Sequence, residues 1–173
     1  MLHVKGPGWM PTEAYYHCRF EILRKPLGFQ RGAEILRDDI DAVHAYVEHE
    51  GSIVAVGRSH LIPDSSDGSQ SDFPGKAGPK TPPFSQLTPS NRPAIQIRQM
   101  GTLDAFQRQG LAAKLLAALE ESSKRQYGAA CGFLQAREIA IPFYESQGWV
   151  LTDEPYSIPN VGPHRSMMKH FDQ

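Results

Sequence analysis

The second half of the chain alternates between patterns typical of strands and of helices, and this alternation restricts the fold more than any other feature. An alternating order of strand, helix, strand, helix and strand requires at least one parallel strand pair, because a crossover returns the chain to the same end of the sheet. We therefore predict an α/β fold. The strand patterns lie at residues 94–102, 129–136 and from Trp149 onward, and the helix patterns lie at residues 110–126 and 138–148.

The first half of the chain predicts a helix followed by a β-hairpin. Thr12 is a suitable N-cap for the helix, which Pro26 and Gly28 end. Two strand-like segments then meet at the Glu50–Gly51 pair, as expected for a hairpin. A last strand is expected at residues 164–171.

Residues 63–93 are rich in Pro, Ser, Asp and Gly and contain almost no aliphatic side chains. Such a composition does not build a core, so we predict a long mobile loop, which either has no direct role or covers the substrate. The strand before this loop needs the strand after it as a sheet neighbour. The loop is therefore not a domain boundary, and we expect residues 1–173 to form one domain.

Charge and cysteine content exclude several classes of partner. The chain has 18 Lys and Arg against 19 Asp and Glu, which favours neither nucleic acid nor an anionic membrane as the partner. Cys18 and Cys131 lack the spacing of a zinc site or of a disulfide framework. No apolar stretch approaches the roughly 20 residues that cross a bilayer, and we expect a cytoplasmic protein.

The junction between the strand at residues 94–102 and the next helix carries the clearest chemical signal. The first amide groups of a helix lack partners and attract anions, and Gly110 and Ala112 leave room for a phosphate group to approach them. Gln107, Arg108 and Gln109 add hydrogen-bond donors at the rim. Neither GxxxxGK[ST] nor GxGxxG occurs, which argues against the common nucleotide-binding loops. An ordinary strand–loop–helix junction with a packing glycine is the alternative.

The segment at residues 107–112 matches the (Gln/Arg)-x-x-Gly-x-(Gly/Ala) signature of the GCN5-related N-acetyltransferases, the GNAT family. The strand before it and residues 134–149, with Phe143-Tyr144 and then Gly148-Trp149, resemble the family's other hallmarks in order and spacing. The resemblance extends over residues 13–171.

This resemblance implies the GNAT fold, a central mixed and splayed sheet of six to seven strands with about four helices, and acetyl-CoA as the acyl donor. The fourth and fifth strands would separate and leave main-chain groups of Met100 and Thr102 to bind the pantetheine, with Gly101 easing its approach. The residues implied to bind the cofactor are Met100, Gly101, Thr102, Gln107, Arg108, Gln109, Gly110, Leu111, Ala112, Gln135 and Phe143.

The resemblance also suggests the catalytic groups. Tyr144 would protonate the departing thiolate, with Phe143 as its packing partner, and the alternative is a core tyrosine whose hydroxyl caps a carbonyl. A base must take the proton of the amine. We expect His44 in this role.

Other candidates for the base are His60, Glu50 and a chain of water molecules. Arg24 and Arg98 are expected to bind an acidic group of the acceptor, unless they are solvated strand and loop ends.

Three functions are compatible with the sequence. The first is acetyl transfer to a primary amine of a small molecule or peptide, with no nucleic acid or membrane partner and with homodimerisation left open. Residues 19–28 and 53–58 also resemble the acetyltransferase-like domain that some bacteria fuse to a hot-dog thioesterase. That likeness suggests a second function, decarboxylation of a malonyl thioester by His44 and Arg98. The third is a non-catalytic module that binds coenzyme A.

Overall fold

A computed structural model describes residues 1–69 and 80–172, which form one mixed β-sheet covered by helices on both faces. The sheet order is β1-β2-β3-β4-β5-β8-β6, and β7 pairs with β8. The strands are β1 (Leu2–Lys5), β2 (Val43–His49), β3 (Ser52–Leu61), β4 (Ala94–Thr102), β5 (Cys131–Arg137), β6 (Val150–Leu151), β7 (Tyr156–Ile158) and β8 (Gly162–His170). The α-helices are α1 (Glu13–Leu23), α2 (Leu111–Tyr127) and α3 (Ile141–Ser146).

The predicted parallel pair is β4 with β5, and it is short. Cα partners run from Ala94 opposite Cys131 to Gln96 opposite Phe133, after which the two strands diverge. All other pairings of the described strands are antiparallel. The α/β class and the splayed sheet are therefore confirmed. The described residues contain eight strands and three α-helices, where six to seven strands and about four helices were expected.

Local signals in the sequence explain the helix and hairpin of the first half. The Thr12 hydroxyl accepts a hydrogen bond from the Tyr15 amide at 3.3 Å and caps α1, as predicted. The hairpin between β2 and β3 turns at Glu50 and Gly51, whose φ angles of 48° and 78° suit a tight two-residue turn. Strands β1 and β7 were not predicted, because segments of three or four residues carry little periodicity.

Each face of the sheet buries an apolar stripe. On one face, Leu115, Leu116 and Leu119 of α2 pack against β4 residues Ile95 and Ile97. All five side chains are buried. The helical spacing of the three leucines places them on one face of α2. On the other face, α1 packs its tyrosines over Val56 of β3.

A buried charged network joins α1 to the segment before β2. Asp39 lies 2.9 Å from the Arg19 guanidinium and 2.7 Å from that of Arg58, and Arg58 also donates to Asp38 at 2.9 Å. Burial opposes ionisation of Asp39, but the two arginines outweigh burial and hold its pKa below the ordinary value. The network thereby anchors the polypeptide between α1 and β2.

The predicted loop at residues 63–93 is partly built into the core, which corrects the sequence-based expectation for that part. Phe84 is 3% exposed, and its ring centroid lies 5.1 Å from that of Phe133 in β5. The aromatic ring of this residue thus helps to attach the polar segment to the sheet. Residues 70–79, on which the rest of the expectation falls, lie outside the described residues.

Within the part of the chain that the structure describes, no helix has the length and apolar character needed to cross a bilayer. Cys18 and Cys131 are buried free thiols. The same part of the chain contains no group of three or more His, Cys, Asp or Glu side chains arranged to hold a metal ion.

Candidate active site

A cavity of about 700 Å³ opens where β4 and β5 diverge. Its walls are residues 97–102 of β4 and residues 134–137 of β5, closed by the end of α1, by Tyr144 of α3 and by His164 of β8. Main-chain groups of β4 beyond Gln96 face this gap instead of a pairing partner on β5. The cavity therefore offers an extended ligand the edge of an interrupted sheet.

Strand β4 is bulged beside the cavity. Gln99 has a φ angle of 55°, and the β3 register shifts between Val56 and Arg58 opposite it. A left-handed conformation of a residue other than glycine costs about 1–2 kcal/mol. The Arg24 side chain donates to Oε1 of Gln99 at 3.2 Å, which helps to hold the bulge in place.

The loop before α2 has the geometry of an anion site. Gly110 caps the helix with a φ angle of 76°, and among the described residues no side chain caps the first amide groups of α2. A Cβ atom built at Gly110 meets nothing within 4 Å, so the approach to these amides is open. Gln107 turns back and donates to Asp104 at 3.1 Å, which braces the loop. Of residues 107–112, only Gln107 lines the cavity.

Gly101 has a packing role that was not predicted, and the expectation that it eases the approach of the pantetheine stays a prediction. A Cβ atom at this position would lie 2.3 Å from Cγ2 of Ile22 in α1. The missing side chain therefore lets α1 pack closely on β4, because any larger residue would displace Ile22. Met100, Gly101 and Thr102 do line the cavity, as expected.

Tyr144 reaches the cavity from α3. Its ring packs edge-on against Phe143 and Trp149, with centroids 5.1 and 6.4 Å away. Burial raises the pKa of the Tyr144 phenol to about 12, so the hydroxyl stays protonated at neutral pH. None of the hydrogen bonds of the described residues involves this hydroxyl. The alternative role, a core tyrosine whose hydroxyl caps a carbonyl, would require such a hydrogen bond. Phe143 itself does not line the cavity.

His44 lies outside the cavity lining and makes structural contacts instead. It is fully buried, with Nδ1 3.0 Å from the Tyr15 hydroxyl and Nε2 2.7 Å from the main-chain oxygen of Asp39. Burial lowers its pKa to about 4. The expectation that His44 is the base therefore finds no support in its position.

The other predicted base candidates also lie outside the cavity lining. His60 is buried with Nδ1 3.1 Å from the Leu61 oxygen, and burial lowers its pKa to about 3. The Glu50 side chain is 87% exposed at the hairpin turn. Neither residue can meet a ligand at the splay of the sheet.

His164 is a cavity residue that sequence reasoning missed. Its side chain is 5% exposed, and Nδ1 lies 2.8 Å from the main-chain oxygen of Gly162. The sequence places His164 in a predicted strand. It does not show which strand lies beside that one, because this depends on the sheet order. Gln135, predicted to bind the cofactor, also lines the cavity and donates to the Thr81 hydroxyl at 2.5 Å.

Arg24 and Arg98 both line the cavity and are buried, so they are not solvated ends of a loop and a strand. Nε of Arg24 donates to the Ala33 oxygen at 2.9 Å, which orients the guanidinium at the end of α1. Arg98 lies in β4 opposite Arg58 of β3. Two buried arginines thus line the space between the diverging strands.

Comparison with known proteins agrees with this geometry. Residues 88–168 match the family model described as an acetyltransferase (GNAT) domain. A putative N-acetyltransferase from Lactobacillus plantarum superimposes with a TM-score of 0.68 at 18% identity, covering 98% of this chain and 97% of that one. An acyl-CoA N-acyltransferase from Pseudomonas aeruginosa gives a TM-score of 0.66 at 18% identity, covering 98% of both chains.

The similarity extends to an enzyme whose name states its acceptor. The ribosomal-protein-S18-alanine N-acetyltransferase from Escherichia coli superimposes with a TM-score of 0.60 at 16% identity, covering 100% of this chain and 96% of that one. At these identities the structural likeness establishes the fold. Residues 88–168 therefore match an acetyltransferase (GNAT) domain in sequence, and the structural likeness extends the GNAT fold over the whole chain.

Proposed function

We propose that this protein transfers an acetyl group from acetyl-CoA to a primary amine of a small molecule or peptide, by direct attack within a ternary complex. The observation that carries the proposal is that one cavity joins the splayed edge of β4 to the protonated Tyr144 hydroxyl. The proposal includes a cytoplasmic location for the protein and is compatible with a homodimer.

The pantetheine arm of the cofactor would run along Met100 and Thr102, where β4 has diverged from β5. The pyrophosphate would lie over the open loop from Arg108 to Ala112 and accept hydrogen bonds from the first amides of α2. The positive φ angles of Arg108 and Gly110, 60° and 76°, support this role, because such conformations turn neighbouring amides toward a common point.

Tyr144 would act when the carbon–sulfur bond breaks. A phenol with a pKa of about 12 is a weaker acid than a thiol, whose pKa is about 8.5. Tyr144 would therefore stabilise the developing thiolate by a hydrogen bond and share its proton as negative charge accumulates on sulfur. The apolar surroundings provided by Phe143 and Trp149 strengthen that hydrogen bond.

Arg24 and Arg98 would contact an acidic group of the acceptor. The support is their burial together in the wall of the cavity. Decarboxylation of a malonyl thioester, in contrast, was expected to require His44 together with Arg98, and His44 does not line the cavity. Acetyl transfer to a carboxylated amine is therefore the better supported function.

Calorimetric titration with coenzyme A and acetyl-CoA tests the cofactor, and mass spectrometry of a panel of amines tests the transfer. The panel should pair each carboxylated amine with its amide, because the proposal expects the amide to react more slowly. Absence of affinity for both coenzyme A and acetyl-CoA would overturn the proposal. Release of carbon dioxide from malonyl-CoA without any amine would favour decarboxylation.

A further inference from the structure

His164 lies where it can take part in the chemistry, although no role was predicted for it from the sequence. We propose that His164 is the catalytic residue that accepts the proton of the attacking amine, an inference that rests on the proposed acetyl transfer. It lines the same cavity as Tyr144 and is the one histidine to do so among residues 1–69 and 80–172.

The other titratable groups in the wall are less suited to accept a proton. Glu21 forms an ion pair with Lys25 at 2.8 Å, and Asp104 accepts a hydrogen bond from Gln107 at 3.1 Å. The Glu21 side chain on α1 is 29% exposed, and Asp104 is exposed on the loop before α2. A guanidinium group offers hydrogen-bond donors and no acceptor, so the arginines of the wall are not suited to act as the base.

Contacts of the ring fix its tautomer and orientation. The Gly162 oxygen can only accept a hydrogen bond, so Nδ1 of His164 carries a proton that it donates over 2.8 Å. In neutral imidazole, Nε2 then bears the lone pair that accepts a proton. The ring also stacks on Tyr156, with centroids 6.1 Å apart and planes inclined by 24°. A base held in one tautomer and one orientation loses little entropy during reaction.

The position of His164 in β8 places it across the sheet from Tyr144. Alternate residues of a strand face opposite sides, and Met168 packs with Phe133 on the face of the sheet away from α2. The register of β5 and β8 runs without a shift, so His164 lies on that same face, opposite Arg137. Tyr144 instead packs against the core beneath α2. The two groups therefore approach the gap from opposite faces.

This arrangement suits direct transfer. The amine nitrogen attacks the thioester carbon and forms the carbon–nitrogen bond, while Nε2 of His164 takes one proton from that nitrogen. The carbon–sulfur bond then breaks, and the hydrogen bond from Tyr144 stabilises the thiolate as it leaves. The proton on the imidazolium passes through solvent to the thiolate, so the products are the amide and free coenzyme A, and His164 regains its starting state.

The test compares His164→Asn with the control His170→Asn, which changes an exposed histidine at the end of the same strand. The first variant should lower kcat/KM for the amine about 10²-fold or more and abolish the acidic limb of the pH–rate profile, with acetyl-CoA affinity unchanged. The second should match the wild-type profile. An active His164→Asn variant that keeps the wild-type limb would overturn the assignment while leaving the proposed function intact.

A second measurement does not depend on the variant folding or on a known acceptor. Nitrogen-15 NMR of imidazole-labelled wild-type protein reports which ring nitrogen carries the proton. At a pH where the ring is neutral, the inference requires protonated Nδ1 and unprotonated Nε2 in the complex with coenzyme A. The opposite tautomer would overturn it, whereas failure of coenzyme A to bind would instead overturn the proposed function.

Discussion

The Tyr15 hydroxyl lies 3.0 Å from Nδ1 of His44, inside the interface between α1 and the sheet. This contact gives His44 a structural role. We predict that His44→Gln lowers the free energy of unfolding by about 1–3 kcal/mol, because a buried hydrogen bond is disturbed. Chemical denaturation measures this loss. Rates at several pH values should keep the wild-type profile, and loss of an ionisation from that profile would contradict the structural role.

Stability should also fall at moderately acidic pH. The folded-state pKa values of His44 and His60, about 4 and about 3, lie below the ordinary value near 6.5. The unfolded chain therefore binds more protons between these values, and stability is complete above pH 6.5 and declines as the pH falls. Each histidine contributes a slope of at most about 1.4 kcal/mol per pH unit. Denaturation midpoints from pH 7 to pH 4 test this, and His60→Gln should reduce the slope.

The charged network should depend on Asp39 far more than on Asp38. Asp39→Asn leaves the guanidinium groups of Arg19 and Arg58, both fully buried, without full compensation and should cost about 3–5 kcal/mol. Asp38→Asn is the matched control, because the Asp38 side chain is 43% exposed and pairs with Arg58 but not with Arg19. Urea denaturation compares the variants, and equal losses would refute this ranking.

Tyr144→Phe should separate catalysis from binding. The variant keeps the ring that packs on Trp149 but removes the hydroxyl, so kcat for acetyl transfer should fall about 10²-fold with little change in acetyl-CoA affinity. Steady-state kinetics and calorimetry provide the two readouts. Tyr127→Phe is the control, since its hydroxyl donates to the Asp41 oxygen outside the cavity. An undiminished kcat for Tyr144→Phe would contradict the catalytic role of the hydroxyl.

Gly101 should tolerate no side chain while Ile22 is present. Gly101→Ala places a methyl group 2.3 Å from Cγ2 of Ile22 and should cost about 1–3 kcal/mol through overpacking. In the double variant with Ile22→Ala, the sum of the single losses should exceed the measured loss. Thermal or chemical unfolding of the wild type, the two single variants and the double variant provides the four free energies of this double-mutant cycle. Strict additivity would mean that the two positions do not compete for space.

Features set by neighbouring residues could be predicted from the sequence. Thr12 caps α1, β4 spans Ala94–Thr102, and α2 runs from Leu111 to Tyr127, close to the predicted boundaries. Capping, backbone preference and amphipathic spacing act over a few residues, so they are visible in the order of side chains. For the same reason the open loop before α2 could be located from the Gly110 signature.

The composition of the cavity wall depended on contacts between residues far apart in the chain. His164 enters the wall because β8 pairs with β5, and His44 is excluded because Tyr15 and Asp39 engage both of its nitrogens. Phe84 joined the core across a segment whose composition predicted a loop. The sequence by itself therefore determined the elements and the family signature, whereas the tertiary structure decided which side chains share the cavity, because strand order and register arise only from long-range packing.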